Sequence, residues 1–153
     1  MAQMAERCPD AVYVGTAEIP DYRLLFKGSQ TGSYLTVEPK PGKTVPVLVW
    51  KIGKRDELRL DRYEGCPTFY YKKEMRVTVH SILDGSVIGD VDALIYIMHE
   101  ERSLGCPSYH YYDVCLEGYS RFGFDHRILD KALTDSVGDK FGKRMLKEVI
   151  YRD

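Results

Sequence analysis

The stretch "LDRYEGCPTFYYKKEMRVTV", Leu60 to Val79, changes period in its middle. Before Gly65 the chain reads "KRDELRLDRYEG", a short helical run that stops where glycine makes a left-handed cap easy. After it, "YYKKEMRVTV" alternates: Tyr71, Met75, Val77 and Val79 point one way, Lys72, Glu74, Arg76 and Thr78 the other. Period two over that length is a half-buried strand. A helix handed straight into such a strand already excludes an all-helical protein.

Working outward, most of the N-terminal two-thirds reads as β. "AVYVGTAEI" and "YRLLFKG" are two expected strands, with Tyr22, Leu24 and Phe26 on one face of the second and Arg23 and Lys27 on the other. "SYLTVEP" and "VPVLVWKI" follow, separated by the Pro/Gly turn "PKPGKT"; the second is apolar on both faces and reads as a doubly covered strand. "LDGSVIG" is a hairpin-like turn before "DVDALIYIM", which makes six expected strands. The grammar then becomes helical. Ser108 is placed to cap "YHYYDVCLEGYSRFG" and Asp125 to cap "HRILDKALTDS". Phe141, Met145, Leu146, Val149 and Ile150 form the apolar stripe of a final helix within 137–153. Strands first and helices afterwards predict an α+β class, a mixed, barrel-like sheet packed by C-terminal helices, in a single domain spanning 1–153.

Composition bounds the function. The 153 residues carry 44% hydrophobic and 29% charged side chains, which is the balance of a folded globular chain. No apolar run approaches a membrane span and no signal segment opens the chain, so the expected compartment is the cytoplasm. A net charge of −1 argues against a nucleic-acid surface; the basic group Lys140, Lys143, Arg144 and Lys147, diluted by Asp139 and Glu148, reads as a solvated helix face. Cys8, Cys66, Cys106 and Cys115 include no C-x-x-C and are expected to be reduced and structural. Cys66, two residues from Glu64, would need a basic or histidine neighbour to be a nucleophile. His80, His99, His110 and His126 are scattered, without metal-ligand spacing. Neither a metal nor a cofactor is expected.

One carboxylate is unusual. Glu64 stands between Tyr63 and Gly65, with Phe69, Tyr70 and Tyr71 close behind. Two readings are open: a solvated charge at a helix end, or a base held among rings, where lost hydration lifts its pKa toward neutrality. A group of the second kind can take a proton from an amine and return it to a leaving group.

Four segments in order resemble the gamma-glutamylcyclotransferase-like family, over Gln3 to about Ser136. They are "RCPDAVYVGTAEIPDYRLLFKG", "LTVEPKPGKTVPVLVWKI", "LDRYEG" with "FYYKKEMRVTV", and "PSYHYYDVCLEGYSRFGF". The resemblance implies intramolecular aminolysis of a gamma-glutamyl compound, releasing 5-oxoproline and a free amine or amino acid. It places the general acid/base at Glu64 and puts Tyr71, Tyr96 and Tyr111 at the substrate. For each tyrosine the alternative is core packing, with its hydroxyl on the backbone. Ring closure needs no metal or cofactor, because nucleophile and electrophile share one molecule.

The family's opening strand and Tyr-Gly-Ser-Asn loop have no counterpart here; "MAQMAERCPD" aligns with the helix after that loop. That departure leaves a second expectation, a catalytically weak or inactive member of the same fold that binds a small molecule or another protein. A sheet edge left open by a missing strand favours pairing with a second copy, so a homodimer through that edge is the expected partner besides substrate.

Overall fold

The computed structural model describes residues 2–29, 32–138, 142 and 144–146. Its elements run α1 (Ala2–Arg7), β1 (Val12–Ser29), β2 (Gly32–Lys51), α2 (Lys54–Tyr63), β3 (Tyr70–His80), β4 (Val87–Met98), α3 (Tyr109–Phe122) and α4 (His126–Val137). Strands followed by helices give the α+β class that the sequence predicts. The sheet has four strands in the order β2-β1-β3-β4, and β3 pairs antiparallel with both β1 and β4. It is not closed into a barrel: β2 and β4 are its outer strands, which corrects the barrel-like expectation.

The six expected strands are four because two breaks do not end their strands. β1 continues through Pro20 and Asp21, and β2 continues through the Pro39–Gly42 turn sequence. Both kinks are absorbed locally. Asp21 takes a φ of 58° and Gly42 a φ of 79°, and the Gly42 amide donates to Asp21 Oδ1 at 2.9 Å. Both residues lie within strands that continue past them.

Two compact units can be told apart, one of Met1–Ile19 with Pro46–His99, the other of Pro20–Val45 with Glu100–Asp153. The first holds β3 and β4 and a core of Ala17, Val49, Val77 and Val79, with Val14, Val47, Met75 and Ala93 packed against it. The predicted alternation in β3 holds: Val77 and Val79 are buried while Glu74, Arg76 and Thr78 are exposed. β1 comes so close to β3 that a Cβ on Gly15 would lie 2.3 Å from the His80 carbonyl oxygen.

In the second unit β1 is buried on both faces, Leu24, Leu25, Phe26 and Lys27 alike. Lys27 can be buried because its ammonium is paired, donating to Glu38 Oε2 at 2.8 Å and to the Glu100 carbonyl at 2.9 Å. The caps fall where predicted. Ser108 Oγ accepts the Tyr111 amide at 3.1 Å, and Asp125 Oδ1 accepts the Arg127 amide at 3.0 Å. Tyr112, Leu129, Ala132 and Leu133 are buried, and Ser136 Oγ accepts the Phe26 amide at 2.8 Å, so α4 closes over β1. Of the final helix expected in 137–153, residues 142 and 144–146 are helical; Phe141, Val149, Ile150 and most of the basic group fall outside the described residues.

Candidate functional site

α2 ends as the sequence predicts. Glu64 is its C-cap, with its amide on the Leu60 carbonyl at 2.8 Å, and Gly65 follows at φ 63°. The glycine takes the left-handed conformation that a Cβ would resist, and the Cys66 amide then closes back on the Asp61 carbonyl at 2.8 Å. Glu64 is half-buried. Burial pushes its carboxyl above its ordinary value, and the positive charge of Arg7 works against that rise. Among the described residues its carboxylate accepts no hydrogen bond, so its oxygens are uncommitted. Arg7 itself lies over the Tyr63 ring, its guanidinium carbon 3.5 Å from the ring centroid, and donates to the Tyr63 hydroxyl.

Glu57, Asp61 and Glu64 are spaced four and then three apart, which puts them on one stripe of α2. The first two of that stripe are tied to the sheet. Lys72 Nζ on β3 donates to Glu57 Oε1 at 2.7 Å and to Asp61 Oδ2 at 3.0 Å, and Tyr96 on β4 donates its hydroxyl to Asp61 Oδ1 at 2.6 Å. The Tyr96 hydroxyl, and then Lys72, hold the Asp61 carboxyl below its ordinary value. The same two carboxylates push the Lys72 ammonium up to about 12, while burial and then Asp61 raise the Tyr96 phenol. Asp61, Lys72 and Glu57 were not singled out from the sequence. Their signal was an acidic pair one helical turn apart beside a strand lysine, and it becomes readable only once β3 is known to pass α2.

The three tyrosines fall in different places. In the β3–β4 register Lys72 lies opposite Tyr96 and Tyr71 opposite Ile97, so Tyr71 and Tyr96 project from opposite faces. Tyr96 is with the Asp61 network. Tyr71 instead packs its ring 5.2 Å from that of His99, whose Nε2 lies 2.6 Å from the Pro67 carbonyl oxygen. Tyr111 belongs to the second unit. Its hydroxyl accepts the Leu35 amide at 3.1 Å, and its ring meets Tyr34 edge-on at 5.2 Å.

All four cysteines are free thiols. Burial raises Cys115 to about 11, partly countered by a hydrogen bond with Tyr111, and burial followed by the Asp56 charge raises Cys8. Such thiols are the unreactive kind. Among the described residues no three His, Cys, Asp or Glu side chains are grouped to hold a metal ion, and no helix is long and apolar enough to cross a membrane.

The chain is similar to two solved structures over most of its length. One is a human protein, loc79017, 26% identical, covering 84% of this chain and 77% of that one with a TM-score of 0.69. The other is a gamma-glutamyl cyclotransferase, 23% identical, covering 96% and 91% with a TM-score of 0.71, a likeness of fold. No curated protein sequence matches the chain at a significant level. The family model for gamma-glutamyl cyclotransferase, AIG2-like, matches residues 1–114, a span that includes α2, its Glu64 cap, β3 and β4. The chain belongs to the AIG2-like gamma-glutamyl cyclotransferase family.

Proposed function

We propose that this protein is a gamma-glutamyl cyclotransferase in which Glu64 is the general acid/base. The observation that carries the reading is the state of that carboxyl: half-buried, with its pKa raised by burial and its oxygens uncommitted among the described residues. A base for this reaction must collect a proton near neutral pH and surrender it again, and an ordinary carboxylate at the surface is too weak to do so efficiently.

The reaction runs in one substrate. Glu64 takes a proton from the substrate's α-ammonium, and the freed amine attacks the γ-carbonyl carbon of the same molecule. A C–N bond forms, closing the five-membered ring, and the carbonyl oxygen carries the negative charge of the tetrahedral intermediate. As the carbonyl re-forms, the bond to the departing amine breaks; Glu64 returns its proton to that nitrogen, and the second proton, shed by the ring nitrogen that the attack made cationic, follows, so the amine leaves as an ammonium. Atoms and charge balance without a metal or redox cofactor, and the enzyme's main contribution is to hold the folded substrate at attack distance.

Asp61, Lys72 and Tyr96 support this reading as the brace of the helix end that carries Glu64. On this account Tyr96 acts by positioning, since its hydroxyl is committed to Asp61. Tyr71 and Tyr111 remain proposed substrate contacts by resemblance, each with its packing role already described.

The test is release of 5-oxoproline, followed by mass spectrometry, from a panel of gamma-glutamyl dipeptides and gamma-glutamylamines, with Glu64→Gln alongside. Release that vanishes in the variant supports the assignment. Turnover that survives Glu64→Gln removes Glu64 from the mechanism, and no release from any member of the panel removes the catalytic reading and leaves a binding protein of the same fold.

A further inference from the structure

The second unit contains a cleft of about 550 Å³ that the cyclotransferase reading does not use. Its walls are β1 at Arg23 and Leu24, β2 at Lys40, Lys43 and Thr44, and α4 from Asp125 to Asp135. Ile128, Lys131, Ala132 and Asp135 recur at helical spacing, so one face of α4 lines it. Volumes of this order hold a small organic molecule.

The charge of the lining is lopsided. Arg23, Lys40, Lys43, Arg127 and Lys131 face two carboxylates, Asp125 and Asp135, an excess of three positive charges in a chain whose net charge is −1. Arg127 is spent on Asp125, with contacts at 2.7, 3.0 and 3.1 Å, and Lys131 on Asp135. Arg23 donates to Glu38 at 2.7 Å, but Glu38 also serves Lys27, which leaves that trio positive. Lys40 and Lys43 form no ion pair among the described residues. At the start of α4 the Asp125 carboxylate already occupies the Arg127 amide, so the attraction for an anion comes mainly from side chains.

The two uncommitted lysines sit on a stiffened backbone. Pro39 and Pro41 flank Lys40, and Gly42, next to Lys43, is pinned by Asp21 at 2.9 Å. Holding them in place therefore costs little beyond side-chain freedom. Below the cationic rim the lining is apolar: Leu24 and Ala132 are buried and Ile128 is half-buried. A bare inorganic anion would leave that floor uncovered.

We infer that this cleft binds an organic phosphate of roughly nucleotide size, its phosphates on Lys40 and Lys43 and its apolar body over Leu24, Ile128 and Ala132. The experiment is isothermal titration of the full chain with ATP, with inorganic tripolyphosphate and with adenosine, at two salt concentrations. Lys40→Glu/Lys43→Glu is titrated in parallel, and both substitutions are at exposed positions. ATP is expected to bind more tightly than tripolyphosphate and adenosine. Its affinity should fall as salt rises and drop at least tenfold in the double variant, whose circular dichroism is unchanged. Failure of ATP to bind at millimolar concentration overturns the inference, as does undiminished binding by the double variant. Tripolyphosphate binding as tightly as ATP overturns the role of the apolar floor. Because Glu64 takes no part, 5-oxoproline release by the double variant should match that of the unmodified chain, so failure here is separable from failure of the cyclotransferase reading.

Discussion

The Asp61 carboxylate accepts the Tyr96 hydroxyl at 2.6 Å and the Lys72 ammonium at 3.0 Å, so one side chain on α2 is tied to two strands. Tyr96→Phe removes the shorter of these bonds and nothing else of comparable size. Hydrogen bonds to a charged group contribute about 1.5–3 kcal/mol, and urea unfolding at neutral pH should register a loss in the lower part of that range. The folded-state pKa of Asp61 is depressed, so its contribution is present above the ordinary carboxyl value and is lost as pH falls through the depressed one. In Tyr96→Phe that acid-side loss should be smaller and should be complete at a higher pH. An unchanged acid profile would show that Lys72 alone holds Asp61.

Glu64 predicts the opposite slope. Its folded pKa is raised, so the folded protein binds the proton more tightly than the unfolded chain does. Stability should therefore fall as pH rises from the ordinary glutamate value up to the raised one. Glu64→Gln should flatten the profile over that window, measured by thermal unfolding across a pH series. If the proposed mechanism holds, the same variant should lose about 10²–10⁴-fold in turnover.

Lys27 is buried and Glu38 half-buried, and removing Lys27 takes away one of the two cations that hold the Glu38 carboxylate, leaving Arg23. Burial works to raise the Glu38 carboxyl, but hydrogen bonds from Arg23 and Lys27, backed by their charges, hold it below its ordinary value. Lys27→Met should cost about 3 kcal/mol at neutral pH, and Lys27→Met/Glu38→Gln should recover most of that loss. Denaturant midpoints of the two variants check the prediction; equal midpoints would mean that packing of the lysine stem, rather than charge, is what the site requires.

Gly15 tolerates no side chain. A Cβ there would meet the His80 carbonyl oxygen at 2.3 Å, far inside contact distance, and the obstacle is backbone. Gly15→Ala should cost about 2–3 kcal/mol by forcing β1 and β3 apart. A melting temperature within a degree of the parent would sink that expectation.

Local signals in the sequence were dependable where a residue's own chemistry determined the outcome. The caps at Ser108 and Asp125, the left-handed Gly65 and the alternation of β3 are all of that kind. What escaped was set by partners far along the chain. Nothing near Asp21 or Gly42 reveals that each lets the other continue its strand. The partners that bury Lys27, Glu38 and the Glu100 carbonyl, lie 11 and 73 residues away. At the candidate site the half-burial of Glu64 agrees with its ring-rich stretch of sequence, whereas the commitment of Tyr96 to Asp61 and the opposite facing of Tyr71 depend on the β3–β4 register. A two-residue error in reading the Ser81–Ser86 turn would preserve the faces; an error of one would exchange them.

Ser136 gives the chain a practical boundary. Its hydroxyl passes a hydrogen bond to the Ala132 carbonyl at 2.7 Å while receiving one from the Phe26 amide. The family signature stops at residue 114, inside α3, yet the cover over Phe26 and Tyr112 arrives later, with Leu129, Ala132 and Leu133. A fragment trimmed to the signature would keep Glu64 and its brace while uncovering the greasiest surface of the second unit. Expression and domain-swapping designs should therefore count the molecule as ending no earlier than α4.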